Sequence, residues 1–113
     1  MRRIDIITIF RTLGKVKLNK VLDKGMRDKL ISNHRKMFQV ARENDEYIAS
    51  LTGQFSPEAV HEVNAAYQEY ANETVDIGLD KLDRKAFGDM LVSGGVDFTL
   101  ADLASIEPLF KED

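Results

Sequence analysis

The chain has 113 residues, of which 43% are hydrophobic and 31% charged, with a net charge of −3 and no cysteine. That size and composition describe one folded domain and exclude a disordered chain. The missing thiols exclude a disulfide scaffold, a thiolate zinc site and a cysteine nucleophile; they fit a reducing compartment, so the cytoplasm is the expected location.

In chain order, Ile4, Ile6, Ile7, Ile9, Phe10 and Leu13 recur at three- and four-residue spacings, which predicts a short helix ending at Gly14 in a left-handed stop. Arg2 and Arg3 before apolar residues are reminiscent of a signal peptide, but Asp5 and Arg11 interrupt the run and no small-residue cleavage site follows. No apolar stretch nears the roughly 18 residues of a membrane helix. Residues 14–22 form a basic connector.

The stretch from Asp23 to Leu51 contains no proline and predicts one long helix. Leu30, His34, Met37, Ala41, Asn44, Ile48 and Leu51 recur at spacings of 4-3-4-3-4-3, a seam for packing; Ile31 and Phe38 widen it on one flank, Val40 and Tyr47 on the other. The first half of this helix is basic and the second acidic, an order that opposes the helix dipole and needs packing or a partner to offset it. Ser56-Pro57-Glu58 reads as the start of a second helix over 57–74, folded back antiparallel on the first. Val75, Ile77 and Leu79 then alternate with Asp76, Gly78 and Asp80, a strand signal; Val96-Asp97-Phe98 is its expected partner in a small two-stranded ribbon. Asp83 can cap a short helix over 84–91, Gly94-Gly95 breaks it, and Thr99 with Asp102 opens a last helix limited by Pro108. The expected fold is therefore mainly α: residues 1–22 a short helix and connector, 23–51 and 57–74 a long helical hairpin, and 75–113 a minor β element with short helices.

Charge is unevenly placed. Residues 1–36 carry a balance of +8 and residues 37–113 one of −11. The plainer reading is mutual attraction between the two parts, within one chain or between chains. The sharper one is a phosphate-binding face made by Lys15, Lys17, Lys20, Lys24, Arg27, Lys29, Arg35 and Lys36. Against a nucleic-acid face stand a sequence pI near 5.4 and no aromatic residues interleaved with the cations.

Reactive constellations are few. Glu58-x-x-His61 is one half of a di-iron carboxylate pattern, but no second half exists, so His61 is read as a surface residue and no metal or cofactor is expected. No phosphate-binding glycine loop and no nucleophile elbow occur. His34 lies in the helical seam, where a core histidine bonded to a neighbour is favoured over a pH-sensitive group. Asn44 shares that seam, and a polar residue there can set register or partner geometry. His34, Asn44, Arg27, Arg35 and Lys36 are the candidate interaction residues.

The segments IITIFRTLGKVKL, VDIGLDKL and FTLADLASIEPLF, spaced by a long charged helix and an acidic one, resemble a family of short proteins of tailed phages and prophages. The closing T-x-x-D-L-x-x-I-x-x-L pattern, Thr99 to Leu109, carries most of this resemblance. It implies an accessory or assembly protein that acts through contacts, with no activity to carry over. The expectation is a non-enzymatic interaction protein with a protein partner or self-association, no membrane and no small-molecule substrate; the alternative is a nucleic-acid-binding accessory protein using the basic N-terminal third.

Overall fold

Helix α1, Arg3–Leu13, sits at the centre of the packing in the computed structural model, which describes residues 1–111. Its buried side chains are Ile6, Ile7, Ile9 and Thr12, and it touches three of the other helices. The helix ends where expected, but Gly14 has φ −59° and ψ −18°, right-handed values open to any residue, so the left-handed stop is not used. A single 3₁₀ turn, Leu18–Lys20, follows in the connector.

Helix α2, Lys24–Gln54, is one unbroken helix of 31 residues. Asp23 caps it by accepting from the Met26 amide at 2.8 Å. It runs through Gly53 rather than stopping at Leu51, because only Gln54 meets the extended backbone of Phe55. Its buried line is Met26, Leu30, Asn33, Met37, Val40, Asn44 and Leu51. Leu30, Met37, Asn44 and Leu51 are common to this line and to the expected seam. The positions between them are not: His34 and Ile48 are exposed and Ala41 is half-buried, while Asn33 and Val40 are buried beside His34 and Ala41. Seven-residue spacing leaves two candidate flanks at i+3 and i+4, and here the i+3 flank is covered.

Helix α3, Val60–Asn72, begins three residues later than the Ser-Pro-Glu pattern predicts. Ala59 is at the N-cap and no side chain caps the end; Ser56 instead closes a turn by accepting the Ala59 amide at 3.0 Å. The helix returns along α2, with Tyr47 stacked on Tyr70 at 4.0 Å, as a hairpin requires. The Arg3 guanidinium lies 4.1 Å from the centre of the Tyr70 ring and pairs with Glu73, which ties α1 to the C-terminal end of α3.

The expected two-stranded ribbon is absent: among the described residues there is no sheet, only isolated bridges. Residues 73–83 form an irregular strap without helix, in which the Leu79 amide closes a three-residue turn on the Ile77 carbonyl at 2.9 Å, and Val75, Ile77 and Leu79 pack against the core. Their partners differ from the predicted one. At one end Arg2 bridges Thr74, with the Val75 amide bonded to the Met1 carbonyl at 2.7 Å. At the other, Leu82 bridges Phe110 in parallel, through the Leu82 amide to the Leu109 carbonyl and the Lys111 amide to the Leu82 carbonyl. Between these ends the strap is held by side chains of α2.

Helix α4, Arg84–Ser93, is capped by Asp83 through the Ala86 amide at 2.8 Å. Its C-terminus closes as a Schellman motif: Gly95 has φ 62°, its amide bonds Val92, and the Val96 amide bonds Leu91. Helix α5, Leu100–Ser105, opens with the capping box of Thr99 and Asp102, and Pro108 lies in a closing 3₁₀ turn, Glu107–Leu109. Phe87, fully buried, meets Phe98 and Phe110 edge-on with ring centres 6.1 and 5.4 Å away. Ile106 and Leu109 complete this end of the core; Leu100 stays exposed. The resulting molecule measures 49 × 25 × 23 Å.

Candidate interaction surface

The two flanks of the buried line on α2 have different fates. On one flank Lys29, Asn33 and Lys36 reach the strap, which runs antiparallel to the helix. Lys29 Nζ donates to the Lys81 carbonyl at 3.3 Å and Lys36 Nζ donates to the Gly78 carbonyl. Between them the buried Asn33 carboxamide bonds both backbone groups of Asp80. These donors offset part of the cost of a basic helix N-terminal half.

The other flank is open to solvent. Arg27, Ile31, His34, Phe38, Ala41, Asp45 and Ile48 fall on it at spacings of 4-3-4-3-4-3, a second helical stripe beside the buried one. Phe38 is 49% exposed and Ile48 41%; His34 is exposed, and Ile31 and Ala41 are half-buried. Phe10 of α1 extends the stripe sideways. Its ring centre lies 5.0 Å from His34 and 6.2 Å from Phe38, and His34 stacks with Phe38 at 6.2 Å. Beside this aromatic group opens a cleft of about 320 Å³ lined by Leu13, Val16, Leu18, Leu30, His34 and Met37. Single exposed apolar residues are ordinary on a protein surface, whereas a contiguous group marks a contact site.

The candidate interaction residues therefore divide. His34 is on the open stripe, not in the core. Arg27 is half-buried on the same stripe and Arg35 is exposed beside it; neither side chain bonds another described residue. Lys36 is committed to the strap. Asn44 is buried, with its Oδ1 lacking a hydrogen-bond partner among the described residues, so a molecule docking on the folded chain does not reach it. Asn33 escaped the sequence reading. Its signal was its position three residues after Leu30 and four before Met37, on the flank not chosen.

A second electropositive place surrounds the Schellman turn. Lys15, Lys17 and Lys20 line a cleft of about 380 Å³ with Gly94, Gly95, Val96 and Asp97. Lys15 pairs with Asp102, and that hydrogen bond, together with the Thr99 amide, holds the Asp102 carboxyl below the usual carboxylate range. Lys17 and Lys20 make no side-chain bond to a described residue. Arg84 likewise lowers the Glu107 carboxyl through a bidentate pair at 2.8 and 2.6 Å. The two parts of opposite charge thus meet within the chain at Arg3–Glu73 and Lys15–Asp102.

Glu58 and His61 do not share a helix, since Glu58 lies in the turn before α3. Among the described residues no group of three or more His, Cys, Asp or Glu is placed to hold a metal, and no helix is long and apolar enough to cross a membrane. In comparisons with models of protein families, with curated proteins and with solved structures, nothing matches the chain.

Proposed function

We propose that this chain is a non-enzymatic interaction protein that works through the open stripe of α2. The observation that carries this reading is the aromatic group of Phe10, His34 and Phe38, which sits at the surface beside an apolar cleft. Burying apolar surface contributes about 25 cal/mol per Å², so a partner that covers a half-exposed phenylalanine and its neighbours gains from each of them. Arg27 and Arg35 rim the stripe with cations that bond no other described residue, which favours an acidic partner surface.

Co-purification from the source cells tests the reading with two forms of the protein, native and Phe38→Glu. Phe38 is half exposed, so the variant keeps the fold, checked by circular dichroism. A complex, homomeric or heteromeric, that the native chain forms and the variant loses is the expected result. No complex with either form overturns the reading. The resemblance to tailed-phage and prophage proteins supports an accessory or assembly role in the cytoplasm, and neighbouring head, tail or packaging genes are the expected genomic context.

The cleft of Lys15, Lys17 and Lys20 favours a second reading, an accessory contact to nucleic acid phosphates. A steep fall in DNA affinity with rising salt is expected if these cations meet phosphates, and no binding at low salt sinks it.

A further inference from the structure

We infer that the occupant of the open α2 stripe is a second copy of this chain, docked antiparallel about a two-fold axis at the level of residue 36. The inference rests on the reading of this stripe as an interaction surface, and it names the partner.

From Arg27 to Asp45 the spacing of the stripe, 4-3-4-3-4, reads the same in both directions. Reversed about the level of residue 36, it sets Arg27 against Asp45, Ile31 against Ala41 and His34 against Phe38 of the second copy. Each pairing is complementary: a cation meets a carboxylate, a large aliphatic side chain meets a small one, and an imidazole meets a phenyl ring. Both charged members are uncommitted, since neither the Arg27 nor the Asp45 side chain bonds another described residue. Arg35 is the exception, because it approaches its own counterpart near the axis.

Charge order selects the direction. A parallel pair sets the basic half of each helix beside the other basic half, and Asp45 beside Asp45. The antiparallel pair sets basic against acidic halves throughout, which also offsets the opposition between charge order and helix dipole noted above. A two-fold contact is self-complementary by construction, as this stripe is. The strap covers the opposite flank of α2, so it does not obstruct a second copy. From Arg27 to Asp45 the contact runs about 27 Å along the helix at 1.5 Å per residue.

Sedimentation equilibrium from micromolar to submillimolar concentration tests the arrangement on the native chain, Arg27→Asp, Asp45→Arg, the double variant and Phe38→Glu. The native chain is expected to dimerise. Each single charge change places like charges together at two symmetric positions and weakens the dimer about tenfold. The double variant restores the pair with reversed sign and returns the affinity to near the native value. Phe38→Glu leaves a monomer, and Arg35→Ala, which removes the like-charge approach, tightens the dimer. A dimer whose single variants are not rescued by the double change overturns the arrangement. A native chain that stays monomeric throughout also overturns it; capture of a different protein, lost in Phe38→Glu, then leaves the broader interaction reading standing, and no such capture removes both.

Discussion

Asn33 and Asp80 are joined by two hydrogen bonds in the manner of neighbouring strands. The Asn33 Nδ2 donates to the Asp80 carbonyl at 2.9 Å, and its Oδ1 accepts from the Asp80 amide at 2.7 Å. A side chain on a helix thereby supplies what a strand backbone supplies in a sheet, and the strap needs no second strand at this point. Asn33 is fully buried, so the pair is shielded from water. Asn33→Ala removes both bonds and leaves a small void, and is expected to destabilise the fold by about 2 to 4 kcal/mol. Urea unfolding measures this; a loss below about 0.5 kcal/mol shows that the strap is held elsewhere.

Asn44 presents the opposite case. It is buried on the same line of α2, and its Oδ1 has no partner among the described residues. An unmatched buried carbonyl is a desolvation cost without return. Asn44→Leu is therefore expected to raise stability by about 1 kcal/mol in the same measurement. A clear loss of stability instead means that the carboxamide is bonded in solution.

Two glycines of α-helical ends separate backbone conformation from packing. Gly95 has φ 62°, and a methyl group added there meets nothing within 4 Å. Gly95→Ala is expected to cost about 1 kcal/mol through backbone strain alone. Gly53 lies inside α2, also with nothing within 4 Å of an added methyl group. Gly53→Ala is expected to stabilise by about 0.5 to 1 kcal/mol, because glycine is the poorer helix former. Thermal unfolding of the two variants should shift in opposite directions.

Acid should weaken the contacts that hold α5 and the C-terminal turn. The carboxyls of Asp102 and Glu107 are both lowered, the first chiefly by Lys15 and the second by Arg84. A carboxyl lowered in the folded state stabilises it above the unfolded value, and this is lost as pH falls through the folded value. Thermal midpoints should therefore fall as pH drops through and below the ordinary carboxylate range, near about 4. Asp102→Asn should lower the midpoint at neutral pH and shrink the acid-induced fall. An identical pH profile in that variant shows that the Lys15 pair contributes nothing.

Much of the fold was legible in the sequence because helix ends are set by neighbours. Asp83 and the Thr99–Asp102 box each bond an amide three residues away, and each was readable as a start signal; Asp23, read only as the first residue of the long helix, caps α2 in the same way. Ser56-Pro57-Glu58 carried the same kind of signal but was spent on a turn, so α3 starts late. Alternation from Val75 to Leu79 read as a strand, which the structure does not form, but it did mark the apolar residues that pack against the core. The candidate surface was half legible: Arg27, Arg35 and His34 were named, and Phe38 was noted as a flank.

What the sequence determined by itself was the set of helices, the caps at Asp83 and at Thr99 with Asp102, the two charged parts and the heptad of Leu30, Met37, Asn44 and Leu51. Only the tertiary structure decided which flank of that heptad is covered. It placed Asn33 inside and His34 outside, and it paired the strap with residues 1–2, with α2 and with residues 109–111 rather than with residues 96–98. The physical reason is range. Caps and alternation are settled among residues a few positions apart, whereas the Asn33–Asp80 pair joins positions 47 residues apart. A choice of that kind depends on which distant surfaces bury the most apolar area together, and no local pattern encodes it.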